Sequence, residues 1–313
     1  MNQKKLGSFC ALAQGMCFGV IPTLIQSATQ GEDIPNSMGV LFRFLVASLV
    51  LLPVAIMRGH RRPGLTPRKL FRVFLSSLFM SATSILLYTA YNYIPTSMGI
   101  TLHYTYPIFT LLLSILLFHT RPNRQTLFSI ALSFCGVVLL CDVGSLAAGA
   151  WRGIILAACS AVTFTVYLLW TQQIKDDELD SIVQVALTSL FNFLVMLAYN
   201  TAAHKLMLRM SPRALTLFVI SGIIAIFALL ALTLAVEYAG AVLTSILGTL
   251  EPIVCTVGGA LVLRERITPR TVCGILLVVA AVIVATLAGQ KNEEPAPAAK
   301  GQLSGRNAKR PRE

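Results

Sequence analysis

The chain has 313 residues, of which 56% are hydrophobic and 12% are charged, with a formal net charge of +12 and a mean hydropathy of +0.75. The charged fraction is about half of the roughly 25% found in soluble domains, which excludes an ordinary soluble globular protein. The composition indicates a membrane protein with several spans, for which the number of helices is more informative than the number of domains.

Ten apolar stretches follow one another along the chain, most of them long enough to cross a hydrocarbon core of roughly 30 Å as a helix. Helices are expected because a backbone in lipid must satisfy its own hydrogen bonds, and no stretch alternates as barrel strands do. The predicted fold class is all-α integral membrane, with ten transmembrane helices. The predicted spans are 6–26, 37–57, 70–91, 97–118, 126–141, 153–172, 182–199, 214–234, 241–263 and 271–288.

The two ends of the chain differ in character. The basic start resembles a signal peptide, but the apolar run continues to about Gln26 without an A-x-A cleavage pattern, so we predict a retained first helix. The segment 290–313 is rich in Pro, Ala, Gly and charge, and we predict a disordered basic tail. The seven cysteines lie in apolar stretches without metal-site spacing, and we predict no metal and no cofactor.

An internal repeat relates the two halves of the chain. The segment starting at Tyr93 and the segment starting at Tyr238 align without a gap, each with a proline-broken helix, a basic turn and a second apolar helix. The identical pairs include Tyr93/Tyr238, Leu102/Leu247, Pro107/Pro252, Ile108/Ile253, Arg121/Arg266, Thr126/Thr271 and Ile130/Ile275. Such a repeat in a hydrophobic chain is typical of transporters built from two halves. We predict repeats at 1–145 and 146–289, each with five helices and therefore inverted.

The distribution of lysine and arginine predicts the orientation. The cluster between the second and third spans, together with Lys4, Lys5 and the tail, favours a cytoplasmic N-terminus and a cytoplasmic C-terminus. The second half taken alone favours the reverse, because its acidic loop would lie inside. The helix count and the basic tail decide for the first orientation.

Two prolines lie within the fourth and ninth spans. Pro107 and Pro252 lack the N–H that bonds four residues back, so each is predicted to break its helix and free the carbonyl of His103 or Gly248. A simple packing kink is the alternative reading. Helical spacing puts polar and small residues beside each proline on one face, and these two faces would line a cavity. The faces are Thr244, Gly248, Glu251, Cys255 and Gly259, and Gly99, His103, Tyr106, Thr110 and Ser114.

Glu251 is the principal candidate residue. A carboxylate near the centre of a bilayer costs several kcal/mol unless it is protonated, paired or hydrated, so such residues are usually functional. We predict a proton acceptor or a partner for a cationic group, against the alternative of a neutral structural carboxyl. Packing through small residues would explain the glycines of this face but not Glu251 or His103.

Further polar residues could face the same cavity or could join helices. The predicted solute-binding residues are Glu251, His103, Tyr104, Tyr106, Gln14, Ser84, Tyr88, Thr244 and Gly248. Ser81 and Asn192 lie on comparable polar stripes of the third and seventh spans. Arg43 in the second span is open to three readings: a counter-charge for Glu251, an anchor for an anionic solute group, or a side chain that snorkels to the headgroups.

Three segments carry a resemblance to a known family. They are MGVLFRFLVASLVLLP, AYNYIPTSMGITLHYTYPIF and AVEYAGAVLTSILGTLEPIVCTVGGALVLRERITPRTVCGILLVVAAVIV. Together they resemble the EamA-type branch of the drug/metabolite transporter superfamily, over roughly residues 6 to 288. The resemblance implies inverted five-helix repeats, alternating access and a cavity formed mainly by the first, third, fourth, sixth, eighth and ninth helices. The first repeat departs from the family pattern at Tyr106 and Thr120, which stand opposite Glu251 and Glu265.

The function predicted is secondary active transport of small metabolites, amino-acid-like, amine or drug-like, in a bacterial inner membrane. Export is predicted because known members of the family often move solutes outward, and proton coupling follows from Glu251. The expected partners are the lipid bilayer and a small-molecule solute, with no nucleic acid. An enzyme is not predicted because the short loops carry no catalytic motif. A membrane-embedded enzyme and a scaffold or receptor are the alternative classes.

Overall fold

A computed structural model describes residues 3–29, 32–59, 66–94, 96–119, 122–140, 150–174, 179–207, 209–262 and 269–291. These residues form helices and no strand, so the predicted all-helical fold is confirmed. The helices are α1 Gln3–Thr29, α2 Asn36–Gly59, α3 Pro67–Ala90, α4 Thr96–His103, α5 Tyr106–Phe118, α6 Arg124–Leu140, α7 Ala150–Ile174, α8 Ser181–Ala202, α9 Pro212–Ala239, α10 Ala241–Leu247, α11 Leu250–Val262 and α12 Pro269–Lys291. The predicted tail from 292 onward lies outside the described residues.

Several of these helices are long and apolar enough to cross a membrane, which makes the chain a multi-pass membrane protein. Within the described ranges there are seven such stretches, namely Gln3–Thr29, Asn36–Met57, Pro67–Ala90, Ala150–Ile174, Ser181–Ala202, Pro212–Ala239 and Ala241–Val262. Tyr106–Leu117 and Val272–Ala281 are apolar but shorter. The predicted fourth and ninth spans are each divided into two helices, α4 and α5, and α10 and α11. The predicted helix breaks are therefore confirmed, and each lies just before its proline.

The helix boundaries extend the repeat well beyond the segment in which sequence identity reveals it. The offset that places Tyr93 on Tyr238 also places the first residue of four helices on the first residue of another four. These pairs are Asn36/Ser181, Pro67/Pro212, Thr96/Ala241 and Arg124/Pro269. The caps agree as well: Thr66 accepts a hydrogen bond from Lys69 N and Ser211 from Ala214 N, each just before a proline at the helix start.

The contacts between the repeats follow the same equivalence. α1 packs along α9 and α3 along α7, while α2 packs on α8 and α6 on α12. α1 also contacts α11, and α7 contacts α5. If equivalent helices of the two repeats are exchanged, every one of these pairs maps onto another pair in the set. The core is therefore shared by both repeats and is not divided into two separate cores.

Polar side chains join the helices inside this core. Ser81 Oγ donates to Asn192 Oδ1 at 2.6 Å, which links α3 to α8, so the joining role is the correct reading for these two residues. Ser37 Oγ donates to Asn200 Oδ1, also at 2.6 Å, and links α2 to α8. In an apolar environment such bonds hold helices at a defined register. Glu32, between α1 and α2, accepts from Ser211 at the start of α9 and ties the two repeats together at one end.

Candidate functional site

The two helix breaks place backbone turns inside the bundle. The first break is Tyr104–Thr105, between α4 and α5, and the second is Gly248–Thr249, between α10 and α11. Each precedes its proline, so Pro107 and Pro252 lie in the first turn of the following helix, where a missing N–H costs nothing. The predicted free carbonyl of Gly248 is wrong, because this oxygen accepts from Glu251 N at 3.0 Å.

A cavity with about 670 Å³ of empty space, open mouth included, lies beside these breaks. Its walls come from α1, α2, α3, α4, α7 and α11. The polar lining residues are Arg43, Thr83, Ser84, Tyr88, Tyr91, His103, Tyr104 and Glu251, and the apolar ones are Phe18, Ile21, Pro22, Met80, Leu87, Ile100 and Phe164. The lining is asymmetric, because among the described residues only Phe164 and Glu251 belong to the second repeat.

The wall helices differ in part from those implied by the family resemblance. The eighth span, α9, supplies no residue to this cavity, whereas the second span, α2, supplies Arg43. The reason lies in the packing, since α9 runs against α1 and α2. The α9 surface is thereby used for contact between the repeats.

Glu251 lies in the first turn of α11, where the unpaired N–H groups of a helix start favour a negative charge. Its carboxyl interacts with the Tyr104 hydroxyl, a hydrogen-bond donor from the first repeat. Two glycines of α1 bring that helix against the surrounding backbone. A Cβ on Gly19 would lie 2.6 Å from Glu251 O, and a Cβ on Gly15 would lie 3.3 Å from Gly248 O. The position of Glu251 is therefore set by close packing of α1.

Arg43 lies inside the bundle and does not snorkel. Its side chain is 7% exposed and lines the cavity, and Nε has no hydrogen-bond partner. The guanidinium carbon is 4.6 Å from the ring centroid of Phe44. Arg43 and Glu251 interact electrostatically across the cavity. Of the three readings of Arg43, the headgroup contact is wrong and the other two stay open.

Hydrogen bonding defines the orientation of His103. Its Nδ1 lies 3.0 Å from Ser160 Oγ, which in turn lies 2.6 Å from Ala157 O. Because a hydroxyl has one proton, Ser160 donates to the carbonyl and accepts from the Nδ1–H of His103. In neutral imidazole this arrangement leaves Nε2 as an acceptor. His103 therefore brings a defined lone pair to the lining of the cavity.

Aromatic rings surround this histidine. Tyr106 meets Phe164 edge to face with centroids 4.8 Å apart, and the centroids of His103 and Phe164 are 5.3 Å apart. The ring centroids of Tyr104 and Tyr106 are 6.1 Å apart. The Tyr106 carbonyl accepts from Thr110 Oγ1 and, across the helix interface, from Thr165 Oγ1 at 3.1 Å. The first break is thus held by α7.

The structure places five of the nine predicted solute-binding residues on the cavity wall, namely Glu251, His103, Tyr104, Ser84 and Tyr88. The other four, Gln14, Tyr106, Thr244 and Gly248, are buried and are not among the lining residues. A Cβ on Gly248 would lie 2.7 Å from Gln14 Nε2 and 2.8 Å from the Tyr106 hydroxyl. We call Gln14, Tyr106 and Gly248 the contact layer, since they join α1 and α5 of the first repeat to the second break.

Sequence reasoning missed Ser160, Phe164 and Thr165. A signal for two of them exists, because the repeat offset places Ser160 on Gly15 and Phe164 on Gly19. In the structure, both members of each pair lie against residues at or beside a helix break. Glu265 and Thr120, named for their place in the family pattern, lie outside the described residues.

The comparisons with known proteins agree with this architecture. The model of the EamA-like transporter family matches residues 5–141 and again residues 151–287. A crystal structure of a protein superposes with a TM-score of 0.76 on 92% of this chain and 98% of its own, at 17% identity, which shows the fold alone.

Two relatives match over part of their length. One is YedA, an uncharacterized inner membrane transporter of Escherichia coli (strain K12), 29% identical over 40% of this chain and 40% of the relative. The other is YetK, an uncharacterized transporter of Bacillus subtilis (strain 168), 29% identical over 44% of this chain and 42% of the relative. The chain thus spans about two fifths of each relative's length. The resemblance found in the sequence is confirmed. Because the family model covers both repeats, the chain belongs to the EamA-like transporter family.

Proposed function

We propose that the chain is a secondary carrier with ten transmembrane helices in two inverted repeats, 1–145 and 146–289. An odd number of spans in each repeat turns the second repeat over relative to the first. The interchangeable helix contacts, in which α1 meets α9 as α7 meets α3, support this arrangement. The proposed location is the inner membrane. The N- and C-termini, with the 290–313 tail, lie in the cytoplasm in this proposal.

The solute binds in the cavity beside the helix breaks, and this cavity carries the proposal. Its residues Pro22, Tyr91 and Ile100 lie towards the ends of α1 and α3 and the start of α4. In the proposed orientation that end of the bundle is periplasmic. In this proposal the contact layer closes the route towards the cytoplasm, with the Tyr106 ring centroid 5.5 Å from that of His103. Alternating access then consists of separating the contact layer while the outer helix ends approach each other.

Coupling takes place at Glu251, the only carboxyl among the described residues that line the cavity. One carboxylate can hold a proton or a cationic group but not both. A proton entering from the periplasm therefore displaces the solute, and the inward proton gradient drives export. His103, Tyr104 and Tyr106 form the hydrogen-bonding and stacking walls around the bound solute.

The test uses proteoliposomes with a pH-sensitive dye in the lumen and a metabolite library added outside. Entry of a solute by exchange for protons raises the lumenal pH, whereas entry together with protons lowers it. We expect a rise for at least one solute and its loss in Glu251→Gln. Glu237→Gln is the matched control. Glu237 lies near the end of α9, accepts a hydrogen bond from Ser181 Oγ and is not among the residues that line the cavity.

Full and equally pH-dependent transport by Glu251→Gln would remove this residue from the mechanism. A solute response that lowers the lumenal pH would replace exchange by symport. A protein that moves no solute at any pH, although correctly folded, would contradict the carrier function itself.

A further inference from the structure

Arg43 is a buried cation with unused hydrogen-bonding capacity at the wall of the cavity. Its guanidinium carries five N–H donors in a planar fork. The side chain is only 7% exposed, yet Nε has no hydrogen-bond partner. Buried charges in proteins are normally paired and hydrogen-bonded, because an unpaired ion loses its hydration without compensation. Packing on Phe44 stabilises one face of the fork but satisfies no N–H.

The groups that face Arg43 come from three other helices. They are Tyr88 of α3, Tyr167 of α7 and Glu251 of α11, and of these only Glu251 has a carboxyl group. Tyr104, the hydrogen-bonding partner of Glu251, comes from the turn after α4. One basic and one acidic group therefore share the cavity without saturating each other's hydrogen bonds.

We propose that Arg43 binds a carboxylate and that the carried solute is a zwitterion with an apolar substituent. This rests on the proposed carrier function and specifies its solute. The carboxylate pairs with the Arg43 fork, and the cationic nitrogen lies at Glu251. The apolar part packs on Phe18, Leu87 and Phe164, which line the same space.

The charge balance favours this solute over the two simpler classes. A primary amine would pair with Glu251 and leave Arg43 facing a second cation. A carboxylic acid would pair with Arg43 and leave Glu251 facing a second anion. A zwitterion satisfies both groups, and its geometry matches the bidentate pairing that guanidinium makes with carboxylate.

Two sets of isosteric probes test this on the purified full-length protein, by thermal shift and by calorimetric titration. One set is L-leucine, isoamylamine and isocaproate, and the other is L-phenylalanine, phenethylamine and hydrocinnamate. Within each set the amine lacks only the carboxylate, and the acid lacks only the ammonium. At least one amino acid is expected to bind about tenfold or more tightly than its amine and its acid, the size of a lost hydrogen bond to a charged group.

The variants sharpen the test through ratios of affinities, which are insensitive to a partly inactive preparation. Arg43→Gln should bring the amine to within about twofold of the amino acid, and Arg43→Lys should keep part of the preference. Arg152→Gln is the control, since Arg152 is exposed and stacks on neighbouring Trp151 much as Arg43 stacks on Phe44. It should leave all ratios unchanged.

Three results would overturn the inference. They are equal binding of amine and amino acid to the unaltered protein, an undiminished preference in Arg43→Gln, and no binding of either amino acid. The proteoliposome assay separates these from a failure of the carrier function. Transport of an amine but not of the corresponding amino acid would support the carrier function and contradict the zwitterionic solute.

Discussion

Replacing Gly19 with alanine is expected to destabilise the protein and to displace Glu251. The added Cβ would lie 2.6 Å from Glu251 O and 2.6 Å from Val254 Cβ, closer than non-bonded atoms approach. Neither atom is the end of a flexible side chain, so α1 and α11 must move apart. Overpacking of this kind costs about 1–3 kcal/mol in a packed interior.

Gly15→Ala is the matched control, one turn away on the same face of α1. Its Cβ would lie 3.3 Å from Gly248 O and 3.4 Å from Glu251 N, so the neighbours need to give only slightly. The change from glycine to alanine in a helix contributes about 1 kcal/mol of stabilisation at either position. This contribution cancels in the comparison, and the difference between the two variants reports the steric clash alone.

The measurement is the apparent melting temperature in detergent, together with the solute-driven proton flux. With about 2 °C per kcal/mol for a chain of this size, Gly19→Ala should melt about 2–6 °C below Gly15→Ala. It should also lose most of the flux, since the backbone that carries Glu251 shifts. Equal melting temperatures would mean that α1 and α11 are not in this close contact, and the account of how Glu251 is positioned would fail.

Two further outcomes concern buried hydroxyls. Thr244 Oγ1 and Ser189 Oγ are buried without partners, so Thr244→Val and Ser189→Ala should each stabilise the protein by about 1 kcal/mol in a melting experiment. A loss of stability in either variant would contradict the assignment. Ser160 positions His103, so Ser160→Ala should raise the KM for the solute severalfold and alter its pH profile, while Ser160→Thr, which keeps the hydroxyl, should restore both; an unchanged pH profile in Ser160→Ala would refute this role.

Much of the fold follows from the sequence because the bilayer leaves few alternatives. Apolar stretches must be helices, and their predicted limits lie within a few residues of the observed ones, as in 37–57 against Asn36–Gly59. The positions of the two helix breaks were harder to predict from the sequence. A proline predicts a break, but the exact position of the turn depends on which N–H donates to the carbonyl that the proline leaves free. At the second break, Glu251 N donates to Gly248 O.

The candidate site was predictable where a side chain is costly in lipid. Glu251 and His103 stand out in an apolar helix, and both line the cavity. Phe164 was not predictable on these grounds, because an aromatic ring suits lipid, core and cavity equally well. The sequence shows that a charged Arg43 is costly in lipid, but it does not predict where the guanidinium lies. A long side chain on α2 can reach either the headgroups or the interior of the bundle.

The repeat explains where the functional groups lie, whereas their chemistry comes from differences between the repeats. Equivalent positions carry Tyr106 and Glu251, His103 and Gly248, Ser160 and Gly15, Phe164 and Gly19. At the second break, Gly15, Gly19 and Gly248 allow α1 and the Tyr106 hydroxyl to lie close to the backbone. At the first break, His103 and Phe164 keep their side chains between the helices, and the cavity forms beside them. Glu251 is the polar group that reaches this cavity from the second repeat, and it does so next to the backbone that α1 holds in place. Because Glu251 contacts Tyr104 and α1 of the first repeat, a movement between the repeats changes the surroundings of this carboxyl, as the coupling role proposed for it requires.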